Sequence, residues 1–183
     1  MPNESARNID PASGVLSVFN NLFSEAIMLT TQSRNPVSTA SFNGHPLHPI
    51  LITIPIGFFL ATFLFDLVFW QTGNQAFATG ALWLLGAGLI GAALAAITGL
   101  IDFLGDQRIR ALGTAWQHAI GNVILVLVQA FSFYQRYRYG ASAVVPLGLS
   151  LSVVAAIIMA FTGWLGGELV FRGRVAVQDE PRP

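Results

Sequence analysis

Four apolar stretches, near residues 49–70, 80–103, 115–134 and 145–168, restrict this chain to very few folds. Each passes the roughly 18-residue length at which an apolar run reads as a membrane-spanning helix, and about 20 to 24 residues at 1.5 Å per residue cross a hydrocarbon core of about 30 Å. Only 10% of the 183 residues are charged and 54% are hydrophobic, whereas an ordinary soluble domain is roughly 25% charged. Nothing apolar is left over for a separate soluble core. The expected fold is therefore an all-α integral membrane protein, a four-transmembrane-helix up-and-down bundle in the lipid bilayer.

The charges that remain exclude some partners. All nine basic residues are Arg and nine acids balance them, so no net charge points to nucleic acid or to an acidic partner. With no cysteine there is no disulfide or thiolate metal site. No Ser-His-Asp, Cys-His or phosphate-binding glycine-loop pattern stands out, so independent catalysis is not indicated.

Before the first span the chain changes character. The opening "MPNESARNIDPASG" is polar and lacks the compact apolar region of a cleaved secretory signal. In "VLSVFNNLFSEAIML" (15–29), Val15, Phe19, Leu22, Phe23, Ala26 and Ile27 share one side at helical spacing, with Asn20, Asn21, Ser24 and Glu25 opposite. This reads as an amphipathic interfacial helix. Residues 30–43, rich in Thr, Ser and Asn, read as a connector. The organisation is thus an N-terminal arm (1–41), a four-span membrane domain (42–177) and a polar tail (178–183).

An even number of spans puts both termini and the 104–114 loop on one side. Arg34, Arg108, Arg110, Arg172 and Arg174 lie there, against Arg136 and Arg138 on the other, so the positive-inside rule places both termini in the cytoplasm of a bacterial inner membrane. Trp70, Trp83, Tyr134, Tyr137 and Tyr139 would mark the far interface, and Trp116 and Trp164 the near one. "TAWQ" (114–117) has the capping-box pattern, with Thr114 as N-cap of the third span. Pro46 or Pro49 suits the first helical position of span one, and Pro55, lying deeper, should bend it.

This threading brings nearly all the unusual chemistry to one depth. His45 and His48, in "NGHPLHP" (43–49), start span one; Asp102 ends span two; His118 starts span three; Glu168 ends span four. Ionisable groups inside a membrane are expensive, so they face a bundle interior and mark function. His118, Asn122 and Gln129 form one polar stripe on span three. Asp66 shares a face with His48 but lies five turns away, roughly 27 Å along the axis, where Arg136 or Arg138 could neutralise it. Gly91 and Ala95 in span two, and the G-x-x-x-G pair Gly163 and Gly167 in span four, are small residues that let helices approach closely in lipid.

Four pieces, "GHPLHPILITIPIG", "TGLIDF", "WQHAIGN" and "GWLGGELVFRG", carry a resemblance over about 42–177. In this order they are similar to a bacterial family of predicted membrane proteins catalogued as domain of unknown function 2231. The resemblance implies a four-span membrane protein, and some relatives look joined to Rieske-type or cytochrome-c-type modules, which hints at electron transfer. The arm at 1–41 lies outside it.

Three uses of the polar level follow. The first is a b-type haem with His118 and either His48 or His45 as axial ligands, in an electron-transfer protein or a subunit supporting a redox complex, alone as a homo-oligomer or with a redox partner. The second is a zinc or iron ion held by His45, His48 and His118 with Asp102 or Glu168. The third is a hydrogen-bonded plug tying the helix ends together, in a structural or scaffolding subunit. A small transporter or channel is a further class, with no inverted repeat visible to favour it.

Overall fold

The computed structural model describes residues 34–179 together with Gly14, Leu16, Ser17 and Asn20. The amphipathic helix expected at 15–29 lies outside the described residues except at Leu16, Ser17 and Asn20, which are helical and exposed. The chain divides into a unit spanning Asn35–Gln178 and a smaller one of Met1–Arg34 with Asp179–Pro183. In the smaller unit the Arg34 backbone N–H donates to the Asp179 carboxylate at 2.7 Å. All helices named below belong to the larger.

The larger unit is mostly helical and opens with a short hairpin, in which β1 (Ser41–Phe42) pairs antiparallel with β2 (His45–Pro46). The turn between them is Asn43-Gly44, at φ 49° and 78°, the dipeptide best suited to a two-residue turn with both centres at positive φ. Helices α1 (Leu47–Leu51) and α2 (Thr53–Thr72) follow, broken at Ile52. Pro55, with no N–H to give to the carbonyl four residues back, explains a break there. Pro46 is the cap of α1 rather than its first residue.

Gly73 then leaves α2 in the left-handed region at φ 66°, its N–H donating to Phe69 O. Asn74 caps the next helix by accepting from the Ala76 N–H at 3.0 Å. A Gly stop followed at once by an Asn start makes the tightest reversal two helices can share. Helix α3 (Gln75–Gly105) has 31 residues, about 46 Å by rise, and overruns the expected 80–103 at both ends.

A single turn, α4 (Gln107–Arg110), leads into α5 (Gly113–Tyr139). The expected Thr114 cap is corrected: α5 starts at Gly113, its N-cap is Leu112, and no side chain caps it. The Ala115 N–H is taken instead by Leu112 O at 3.0 Å, so the incoming turn satisfies the helix start through backbone alone. Gly140, at φ 62°, ends α5. Two short turns, Gly140–Ala143 and Val144–Gly148, then reverse the chain into α6 (Leu149–Phe171).

Three stretches, Leu47–Thr72, Gln75–Gly105 and Gly113–Phe171, are long and apolar enough to cross a membrane, yet only 22%, 33% and 22% of their most apolar windows are buried. Most of the apolar surface, Leu64, Ile90, Leu127 and Ile157 among it, therefore points outward. That is the inverse of a water-soluble protein and the arrangement a lipid solvent requires.

Close approaches fix the packing. A Cβ on Gly80 would meet the Phe65 ring at 2.6 Å, on Gly88 the Phe59 ring at 2.5 Å, and on Gly91 Ile54 at 2.7 Å, so α2 and α3 run antiparallel with glycines receiving the large side chains. Helices α3 and α5 meet at Gly86 with Phe133 and at Phe103 with Trp116. Helices α5 and α6 meet at Gly121 with Thr162 and at Arg136 with Gly148. Each neighbour in sequence is an antiparallel neighbour in space. At the centre Phe59, Leu85 and Ala92 are buried, flanked by Leu89, Val126, Phe133 and Met159.

Toward the α2–α3 turn the interior is charged. Arg136 on α5 and Asp66 on α2 are 2% and 0% exposed and form a two-pronged pair, Nη1 to Oδ1 at 2.5 Å and Nη2 to Oδ2 at 2.7 Å. Ser152 on α6 donates to Asp66 Oδ2 at 2.6 Å, and Arg136 Nε donates to Ser132 Oγ at 3.2 Å. Gly148 leaves the guanidinium its place, since a Cβ there would lie 2.8 Å from Nη2. Removing one partner of such a pair leaves a bare buried charge and costs about 3–5 kcal/mol. Asp66→Ala and Arg136→Ala are each expected to lose about that much on unfolding in detergent, and the paired Asp66→Leu, Arg136→Met variant to regain most of it; equal losses in single and double variants would contradict a mutual pair.

Candidate functional site

The opposite end of the bundle brings two of the three histidines together. His48 on α1 and His118 on α5 are half-buried, with ring centroids 6.2 Å apart and planes at 83°. Their surroundings repeat. His48 Nδ1 lies 2.8 Å from Ala95 O on α3, and His118 Nδ1 lies 2.9 Å from Thr162 O on α6. A carbonyl can only accept, so each Nδ1 carries a proton, which in a neutral imidazole leaves the lone pair on Nε2.

A glycine four residues past each carbonyl makes room for the ring. A Cβ on Gly99 would stand 2.8 Å from His48 Nδ1, and one on Gly166 would stand 3.2 Å from His118 Cε1. Two helix pairs, α1 with α3 and α5 with α6, thus solve the same local problem the same way. Asn122, one turn along α5, donates its backbone-directed amide N–H to His118 O at 2.8 Å and has Nδ2 3.2 Å from His118 Nε2.

The other expected site residues are placed elsewhere. His45 is exposed on β2, its backbone paired with Phe42. Asp102 faces the connector, where Oδ1 accepts from Ser38 Oγ at 2.9 Å and from the Ala40 N–H at 2.7 Å. Glu168 pairs with Arg172 one turn on at 2.9 Å. Among the described residues no three His, Asp or Glu side chains form a metal-holding group. Gln129 continues the α5 stripe but lies deeper, 1% exposed, with Oε1 lacking a hydrogen-bond partner.

The small residues divide in the same manner. Gly91 packs on Ile54 and Pro55, and Ala95, 3% exposed, supplies the carbonyl to His48. At Gly163 a Cβ would meet nothing within 4 Å, and at Gly167 it would meet only Phe171 of its own helix, at 3.9 Å. Within the chain Gly166, lying between them, makes the close approach.

A strap that sequence patterning did not single out closes this end. Thr39 Oγ1 donates to Ile101 O at 2.9 Å, and Leu47 N–H to Ala40 O at 2.9 Å. Asp106, 8% exposed, accepts from the Val37 N–H at 3.0 Å and from Arg108 Nη2 at 2.7 Å while capping α4 through the Arg108 N–H. The Arg108 guanidinium holds the Asp106 carboxyl well below the usual carboxylate range, against a desolvation that alone would raise it. Arg110 donates to the carbonyls of Phe103 and Leu104, and Trp116 Nε1 to Arg110 O at 3.0 Å. An Asp directly after Gly105 and before a short helical turn is a cap signal, and would have pointed to Asp106.

Two outcomes follow. Gly99→Ala drives a methyl into the His48 ring and is expected to cost about 1–3 kcal/mol, while Gly163→Ala, in open space, should be neutral or slightly stabilising; thermal unfolding in detergent separates them. Because the folded Asp106 is more acidic than in an unfolded chain, its stabilisation is complete above the unfolded pKa of about 3.9 and is lost as pH falls below it toward the folded value. Amide exchange at Val37 is expected to accelerate over that acid range, and Asp106→Asn to remove the pH dependence.

No curated protein and no solved structure matches the chain. A family described as predicted membrane proteins, designated domain of unknown function 2231, matches residues 44–179, from the hairpin turn to past the end of α6. The chain belongs to this family of predicted membrane proteins.

Proposed function

We propose that the chain is a four-span bundle of the bacterial inner membrane, with α1–α2, α3, α5 and α6 crossing in turn and both termini in the cytoplasm. We read the His48–His118 pair as the axial ligand pair of a b-type haem in an electron-transfer protein or redox subunit. The observation that carries this is the repeated anchoring of the two rings: each Nδ1–H is held by a backbone carbonyl of the next long helix, leaving Nε2 as the basic nitrogen. A carbonyl accepting from the far nitrogen is a usual companion of a metal-ligating imidazole.

The donor set favours haem over a bare ion. Haem brings four equatorial nitrogens and asks the protein for two axial ligands, whereas zinc takes three or four protein ligands, and Asp102 and Glu168 have other partners. His48 and His118, with ring centroids 6.2 Å apart, would be the two residues to hold such a group. Haem so held would supply one-electron chemistry; His48 and His118 would orient it, and Ala95 O and Thr162 O would strengthen both as donors. A second reading, a purely structural cross-link, is favoured by the Asn122 Nδ2 at 3.2 Å from His118 Nε2 and by the ordinary reach of edge-to-face rings, about 4.5–7 Å.

The distribution of Arg supports that orientation: Arg136 and Arg138 lie toward the α5–α6 turn, and Arg108, Arg110, Arg172 and Arg174 at the other end of the bundle, the positive-inside bias.

Protein purified in detergent under haem-replete conditions is expected to show sharp dithionite-reduced absorption bands with one iron per chain, lost in both His118→Ala and His48→Ala and kept in His45→Ala. No pigment and no iron, with either variant merely less stable, would leave the structural cross-link. A cysteine at Ser142, in a chain otherwise free of cysteine, is expected to react with impermeant reagent from the periplasmic side; cytoplasmic reaction would invert the topology.

A further inference from the structure

We propose that the far half of the bundle interior, from the α5–α6 turn to Gln129, is a hydrated half-channel for water and protons, closed at the midplane by an apolar layer around Leu125. This stands on residues separate from the imidazole pair and does not depend on what that pair holds.

The inner face of α5 carries His118, Asn122, Leu125, Gln129, Ser132 and Arg136 at alternating spacings of four and three, the seam of a packed helix. Five of these six are polar, in a helix whose outer face is apolar. Gln129, Ser132 and Arg136 are each at most 2% exposed, as are Thr62 and Asp66 on α2 and Ser152 on α6. Close packing alone would be served by Ala, Leu or Val, the residues that line the seam of α3 at Ala81 and Leu85.

Two observations show where water belongs. A cavity of about 80 Å³ opens beside Arg136, lined also by Gln75, Thr79 and Gly140; it has room for two or more waters at about 30 Å³ each, with polar partners to hold them. At the inner limit Gln129 Oε1 is fully enclosed and has no donor. A buried amide oxygen left bare costs about 1–3 kcal/mol, which one bridging water removes. Between the two, Arg136, Asp66, Ser152 and Ser132 form a continuous hydrogen-bonded group, and Thr62 lies one turn deeper than Asp66 on the same face of α2. Gln129 is seven residues from Arg136, about 10 Å along the helix, a distance spanned by a few waters. Along such a line a proton moves as one O–H bond forms and the next breaks, with no co-reactant.

Beyond Gln129 the line stops. Leu125 is 5% exposed, and only past it does the polar seam of α5 resume at Asn122 and His118. One side chain thus separates a wet half from the half-buried polar level on the other side.

The test is to open that layer. Wild-type protein in phosphatidylcholine vesicles loaded with a pH dye, under a potassium–valinomycin potential, is expected to be proton-tight. Leu125→Asn should raise proton flux by roughly tenfold or more, as a modest lowering of the barrier would, and Gln129→Leu added to it should restore tightness. A folded Leu125→Asn protein no more permeable than wild type overturns the proposal. If that variant does not fold, wild type is read directly in bilayers by magnetisation transfer from mobile water. Transfer to the Gln129 side chain as fast as to Thr79 supports a wet path; transfer as slow as to Leu85 overturns it.

Discussion

The Asp66–Arg136 pair sets the register on which the rest of the bundle depends. A guanidinium and a carboxylate with at most 2% exposure each become a bare buried charge when parted, so they tolerate one alignment of α2 against α5. That alignment decides what meets at the other end. His48 precedes Asp66 by eighteen residues and His118 precedes Arg136 by the same eighteen, five turns at 3.6 residues per turn. Pairing the charges therefore brings the imidazoles opposite each other, and sliding either helix by one turn would undo both contacts together. Ser152 and Gly148 extend the constraint to α6, so three of the four long helices are located by one interaction.

Much of this was legible in the sequence because membrane helices obey few rules. Apolar length located the long helices, helical phase put His118, Asn122 and Gln129 on one stripe, and depth along the helix put Asp66 near Arg136 or Arg138, of which Arg136 is the partner. What stayed illegible was decided outside regular periodicity. His45 and His48 are three residues apart, the spacing of one helical face, but the Asn43-Gly44 turn puts His45 on a strand and only His48 on a helix. Asp102 and Glu168 reach the right depth, yet depth does not fix azimuth: a Ser38–Ala40 connector claims one and Arg172 the other. The Thr114 cap pattern failed because a four-residue turn had already delivered the backbone into α5.

Glycines explain why the two ring seats resemble each other while the sequences around them do not repeat visibly. Seating a ring against the next helix requires a histidine, any residue offering a carbonyl, and a glycine four positions later. Ala95 with Gly99 and Thr162 with Gly166 meet that requirement with different side chains. The conspicuous G-x-x-x-G pair at Gly163 and Gly167 is not what seats the ring; Gly166, which lies between them, is.

The strap that closes the histidine end also joins the two ends of the domain. Ala176 N–H donates to Pro36 O at 2.8 Å and Asn35 Nδ2 to Val177 O at 3.0 Å, so the chain enters and leaves the bundle at a single point. Ends that meet in this way are what a circular permutant requires: a cut at one of the helix turns and a short join from residue 178 back to residue 35.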